Sequence, residues 1–145
     1  MLVDLLPEQI SNYWPLFKGH IEDTVPPTAD YGTYDTNNIL YSLMFDYNHT
    51  KLWLCNDDKD RHNIGFVITT VMRDISGVNI LLIYNMVVID KEAKINWLRE
   101  LETLKKHAWS LGCSKIGAYI MNSKILDIVS KHEVETRFVF ANMNI

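Results

Sequence analysis

The segment ILLIYNMVVI, residues 80–89, constrains this chain more than any other. It is almost wholly apolar, yet far shorter than the roughly 20 residues a membrane-spanning helix needs. It therefore predicts a central strand buried on both faces. The chain then runs into DKEAKINWLRELETL without a glycine. Apolar side chains at Ile95, Leu98, Leu101, Leu104, Ala108 and Leu111 predict an amphipathic helix over 92–111. Asp90 reads as its cap and Gly112 as its terminator. Glu102 and Lys106 make an i,i+4 pair on its outer face, worth about 0.3 kcal/mol.

The remaining segments fall around that core. LVDLL is a short strand. Pro7 and Pro15 each stand where a helix opens, so residues 7–23 read as one bent helix or two short ones, with Ile10, Tyr13, Trp14, Phe17 and Ile21 inward. Pro26 and Pro27 stop it, and Asp35 or Thr36 caps a second helix carrying Ile39, Leu40, Leu43, Met44 and Tyr47 on one face. KLWLC, IGFVITTVM and the 80–89 run form an antiparallel meander, with Ser76-Gly77 at one turn. SKIGAYIM, a short helix from Asn122 or Ser123, and TRFVFANMNI close the chain. The order predicts an α+β fold, with a mostly antiparallel mixed sheet of about six strands and helices on both faces. All 145 residues read as one domain.

Composition excludes some functions. Net charge is -4 and there is no basic run, so nucleic-acid binding through a basic patch is not expected. No apolar run is long enough for a membrane span, and no signal peptide is visible after Met1. Cys55 and Cys113 form no CxxC pair and read as buried thiols of a reducing compartment.

The element order resembles the GNAT acyltransferase superfamily over nearly the whole chain. MVVID stands where that family's fourth strand ends. Leu101, Ala108 and Gly112 match the leucine, alanine and glycine spacing of its long helix, and Asn122 matches the asparagine after its fifth strand. The stretches PPTADYGTYDTNNILYSL, GFVITTVMRDISG and LLIYNMV are similar to small GNAT-like proteins of tailed phages. The resemblance implies a fourth strand ending in a phosphate-binding loop, and a fifth strand splayed from it to admit the pantetheine arm of acyl-CoA.

The family's chemical signatures are not matched. Its loop has the form R/Q-x-x-G-x-G/A, and here the arginine falls on Ala93 and the glycines on Asn96 and Leu98. Asp90 and Glu92 add negative charge where a polyphosphate would sit. The tyrosine that protonates the leaving thiolate in many members falls on Val129. The expectation is therefore no cofactor, with acetyl-CoA bound weakly or not at all, and no catalytic or metal site. His20, His49, His62, His107 and His132 lack metal-ligand spacing, and DDKDRH reads as a solvated hairpin tip rather than a calcium loop. Ser42, Ser110 and Ser123 have no identifiable base. Tyr84 and Asn85 read as core packing near the family's acceptor site.

This pattern leads to a non-catalytic acetyltransferase-like module acting through protein–protein contact. A phage virion, assembly or host-interaction protein, in the host cytoplasm or the virion, fits it. The partner is a protein or a second copy of the chain. Its expected anchors are Trp97, Tyr31 and Tyr34, bordering one surface, because such aromatics are enriched at hot spots; Trp53 is a further aromatic of interest. Two alternatives remain: an acyl-CoA-dependent N-acetyltransferase with an atypical loop, and a small-ligand binding protein using the cleft between the splayed strands.

Overall fold

The apolar segments pair into one five-stranded sheet among the described residues, in the order β1-β2-β3-β4-β5. A computed structural model describes residues 1–24, 26, 28–29, 34–120, 123–131, 134–136 and 143, without the side chains of Lys124, Ile125 and Ile128. In chain order the elements are β1 (Leu2–Asp4), α1 (Pro7–Glu22), α2 (Thr36–Phe45), β2 (Thr50–Asn56), β3 (Asn63–Arg73), β4 (Asn79–Val88), α3 (Trp97–Ser110), β5 (Lys115–Ala118) and α4 (Ser123–Val129). β1 to β4 are antiparallel neighbours, and β5 returns parallel to β4. This is the expected α+β, GNAT-like arrangement with a mixed sheet. The closing segment TRFVFANMNI lies mostly outside the described residues.

Alternation along the strands gives the sheet two apolar faces. On one, α1 and α2 pack Ile10, Trp14, Phe17, Ile21 and Leu43 against Leu52, Leu54, Phe66 and Ile68. On the other, Leu104 and Ala108 of α3 pack against Trp53, Cys55, Val67 and Leu81. β4 is an interior strand between β3 and β5, as expected, but the middle strand is β3, and β2 and β3 each carry six consecutive buried residues where β4 is largely half-buried. Proline at Pro15 does not divide the first helix: α1 runs unbroken. Its start is held by the Leu6 N–H donating to Gln9 Oε1 at 3.0 Å.

The long helix departs from the sequence expectation at its beginning. It starts at Trp97, with Asn96 as its cap, so residues 89–96 form a loop rather than its first turns. Asn96 Oδ1 accepts the Arg99 N–H at 3.2 Å. Asp90 instead closes a local turn, accepting the Glu92 N–H at 3.0 Å. Glu102 pairs with Lys105, not Lys106. The buried stripe is centred on Glu100, Leu104 and Ala108, leaving Leu101 half-buried and Leu98 55% exposed. The cause lies at Glu100. Its carboxylate faces inward and accepts the Leu2 N–H at 2.7 Å, and with Glu100 on the buried face Leu98, two residues earlier, faces out.

Leu104→Ala should therefore cost about 2–5 kcal/mol of stability. Leu98→Ala should change it by no more than about 0.5 kcal/mol. Urea titrations of the two variants check the register, and equal losses would overturn it.

Candidate functional site

The geometry that matters begins with one extra residue in β4. Ile68 pairs with Asn85 and Thr69 with Ile83, so Tyr84 has no partner in β3 and forms a bulge. A bulge places successive side chains on the same face. Tyr84 joins the α1/α2 core, and Asn85 Nδ2 donates to the Thr24 carbonyl beyond α1 at 3.5 Å. Asn85 is 4% exposed, and its Oδ1 is buried without a partner.

The pairing with β5 ends just before the bulge. Ile80 to Ile83 match Lys115 to Ala118, and no described strand pairs with β4 on that side beyond Ile83. β4 and β5 therefore part at Tyr84. Three tyrosines, Tyr34, Tyr84 and Tyr119, stand near this point. Burial raises the pKa of Tyr34 and of Tyr84, so both phenols stay protonated at neutral pH.

The second half of the site is the β4–α3 loop. A helix N-terminus leaves its first amides without intrahelical partners. Among the described residues no acceptor meets the N–H of Lys94, Ile95, Asn96, Trp97 or Leu98. These amides stand at the positive end of the helix dipole. Asp90 and Glu92 lie earlier in the loop, with Lys91 and Lys94 between and after them. The loop thus supplies unbonded amides, with the negative charge of Asp90 and Glu92 accompanied by Lys91 and Lys94.

Beside this loop an ionic network fastens α3 to the β2–β3 turn. Arg99 donates to both Asp58 oxygens, at 2.6 and 3.0 Å, and also bonds Glu100 Oε1. The N-terminal ammonium lies 3.2 Å from the same Glu100 oxygen. Burial pushes the Glu100 carboxyl up, but hydrogen bonds from Arg99 and the Leu2 N–H, together with the ammonium, outweigh it and hold the pKa below the ordinary value. The network borders a cavity of about 440 Å³ floored by Cys55 and Ile64. Sequence reading missed Glu100, because a glutamate among helical leucines has no local sign of being buried.

Asp57, Asp60 and His62 bring three potential metal donors within 4.8 Å of one another at the tip of the same turn. One oxygen of each aspartate is already engaged. Asp57 accepts the Lys59 N–H, and Asp60 accepts from the His62 backbone and meets its ring. The DDKDRH segment is thus held as a hairpin tip by its own hydrogen bonds.

The expected contact residues do not come together. Trp97 is half-buried at the start of α3, on one face of the sheet. Tyr34 is half-buried in the core of the opposite face. Tyr31 lies outside the described residues. Trp53 is fully accounted for in the interior, its Nε1 donating to Thr69 Oγ1 at 2.9 Å and its ring meeting His107 edge-on. Val129, where the family places its tyrosine, is the last residue of α4.

Comparison with solved structures fits this architecture. An aminoglycoside acetyltransferase from an uncultured soil metagenomic sample superposes with a TM-score of 0.69 at 13% identity, covering 100% of this chain and 97% of its own. The ribosomal-protein-alanine N-acetyltransferase of Brucella melitensis gives 0.67 at 12% identity, with 100% and 99% covered. The glucosamine-6-phosphate N-acetyltransferase of Arabidopsis thaliana gives 0.64 at 10% identity, with 99% and 97% covered. The chain has the acetyltransferase fold. No family model matches the sequence, and no curated protein does. No helix among the described residues is long and apolar enough to cross a membrane.

The Glu100 carboxylate gives a pH signature. Its folded pKa lies below the ordinary 4.5, so its contribution to stability is complete above that value and is lost as pH falls through the folded pKa. Glu100→Gln should therefore be less stable than the parent near neutral pH. The gap should close as pH falls through the lowered folded pKa, read from urea midpoints between neutral and acid pH. A gap independent of pH would overturn the assignment of a charged, hydrogen-bonded Glu100.

Proposed function

We propose that this protein is an acyl-CoA-dependent N-acyltransferase with an atypical cofactor loop. The observation that carries this reading is the parting of β4 from β5 at the Tyr84 bulge, next to the unbonded amides of residues 94–98. The parted edge of β4 has the backbone groups to take the amide-bearing pantetheine arm. The amides from Lys94 to Leu98 are the donors a pyrophosphate requires, and donation by backbone N–H needs no particular side chain. The acyl thioester supplies the activated acyl group. Full-length superposition on several acetyltransferases supports the reading at the level of fold.

The chain's own contribution at the reacting end is phenolic. Tyr84 stands at the point where the strands part, and burial keeps its phenol protonated. It is the candidate to give a proton to a leaving thiolate, a role that Val129 cannot fill. Among the described residues no buried carboxylate lines the cavity beside Tyr84.

A second reading is a non-catalytic module that works through contact with a protein partner, including a phage virion or host protein. It is favoured by the apolar side chains that α3 turns outward, Leu98 and the 83% exposed Trp109, with Trp97 half-buried beside them. Asp90 and Glu92 also weaken the loop as a polyphosphate site.

Titration calorimetry with acetyl-CoA separates the two. The first reading expects saturable binding in the micromolar range. Proline is tolerated at the first position of a helix and has no N–H. Trp97→Pro should therefore weaken binding more than Trp97→Ala, which keeps the amide. Tyr84→Phe should lower acetyl transfer to a panel of primary amines while leaving acetyl-CoA affinity unchanged. Absence of any binding heat would overturn this reading. The contact reading expects Trp97→Ala to weaken association by more than about 1 kcal/mol in sedimentation experiments, with the fold intact.

A further inference from the structure

A second cavity, of about 290 Å³, lies on the α1/α2 face, away from the α3 loop. It sits between α2 and the ends of β2, β3 and β4, and its walls combine two chemistries. Tyr34, Tyr84, Ile39 and Ile68 supply apolar and aromatic surface. Asn38, Ser42, Thr50 and Thr70 supply amide and hydroxyl groups.

Most of the polar groups are already satisfied. Thr50 and Thr70 bond each other at 3.0 Å, and Ser42 donates to the Asn38 carbonyl at 3.0 Å. The exception is Tyr34 Oη, which is buried and has no hydrogen-bond partner. The Tyr84 phenol stands beside it and interacts with it, but without the geometry of a full hydrogen bond. A buried hydroxyl left unpaired is costly, and a ligand group that pairs with it recovers the cost. Aromatic walls around a few hydrogen-bonding groups are the usual composition of a small-molecule site.

The lining also fixes the charge of the ligand. Among the described residues no lysine, arginine or histidine faces this cavity, so an anion would lose its hydration without compensation from them. The one charged lining group among the described residues is Asp35. It is exposed and already caps α2 by accepting the Asn37 N–H at 2.8 Å. A cation seated within the cavity would therefore have no buried carboxylate opposite it. A neutral hydroxyl both donates and accepts, and so satisfies a phenol in either sense.

We propose that this cavity binds a small, uncharged, polyhydroxylated ring of saccharide type. The ring packs between Tyr34 and Tyr84, and one of its hydroxyls bonds Tyr34 Oη. The site does not depend on acyl transfer. If the ring belongs to an acyl acceptor, the reacting amine lies outside the cavity, toward the parting of β4 and β5.

The test is a heteronuclear NMR titration of the full chain with glucose, N-acetylglucosamine, glucose-6-phosphate and butylammonium. The expected result is saturable shifts at Tyr34, Thr70 and Tyr84 with at least one neutral sugar, and binding about tenfold weaker or absent with the phosphate and the ammonium. Tyr34→Phe should weaken sugar binding about fivefold or more while the melting temperature of the free protein is no lower than the parent's. Thr70→Val, which alters the wall but leaves the phenol, serves as a second variant if Tyr34→Phe fails to fold, and should also weaken binding. The proposal is overturned if no neutral sugar gives saturable shifts at these residues, if both variants bind as the parent does, or if phosphate or ammonium binds as well as the sugars.

Discussion

One unpaired residue in β4 sets the form of everything around it. An antiparallel ladder with strict alternation would send Tyr84 and Asn85 to opposite faces. Because Tyr84 is an insertion relative to β3, both go to the α1/α2 face, and the strand bends there. Pairing with β5 ends at Ile83, the residue before the bulge. The bulged Tyr84 also lines the 290 Å³ cavity. The gap and the cavity thus meet at the same irregularity. They lie close enough for a ligand to reach from one toward the other.

Electrostatics on the other face are arranged around a buried carboxylate. Glu100 is 2% exposed, and an unpaired charge there would be strongly unfavourable. It is satisfied by the Leu2 N–H and by Arg99, which in turn reaches Asp58. The result ties the first strand, the β2–β3 turn and the start of α3 together. A second buried group on this face is His107, whose Nε2 has no partner. Burial, reinforced by Lys51, holds its pKa low, so it remains neutral. Lys51 is itself held by Asp4 at 2.9 Å and lies over the Tyr47 ring.

The fold was legible from periodicity because its core is built of conventional apolar faces. Phe17, Ile21 and Leu43 are buried where helical spacing puts them, and the three long strands stand where the apolar runs stand. What the sequence concealed was long-range. The burial of Glu100 depends on a backbone N–H that is 98 residues away. The helix start moved from residue 92 to Trp97 because the side-chain amide of Asn96 caps it, whereas Asp90 turns back on its own loop. The candidate site was half legible. Tyr84 and Asn85 drew notice near an acceptor site, but their placement on one face follows from a register shift that alternation cannot show. Counting absent glycines gave no sign that the amides after Ala93 are left free.

The parted edge of β4 has a consequence for the chain's behaviour in concentrated solution. Met86, Val87 and Val88 present backbone donors and acceptors that no described strand covers, on a strongly β-forming segment. Such an edge is a template on which a neighbouring molecule can add a strand, and natural proteins guard these edges with charge. Immediately after Ile89 come Asp90, Lys91 and Glu92, three consecutive ionised side chains of mixed sign. A second copy approaching this edge would have to desolvate them. Ionised side chains beside a strand end are one of the ways natural proteins discourage strand addition at an edge, and the junction after β4 supplies three of them without a glycine.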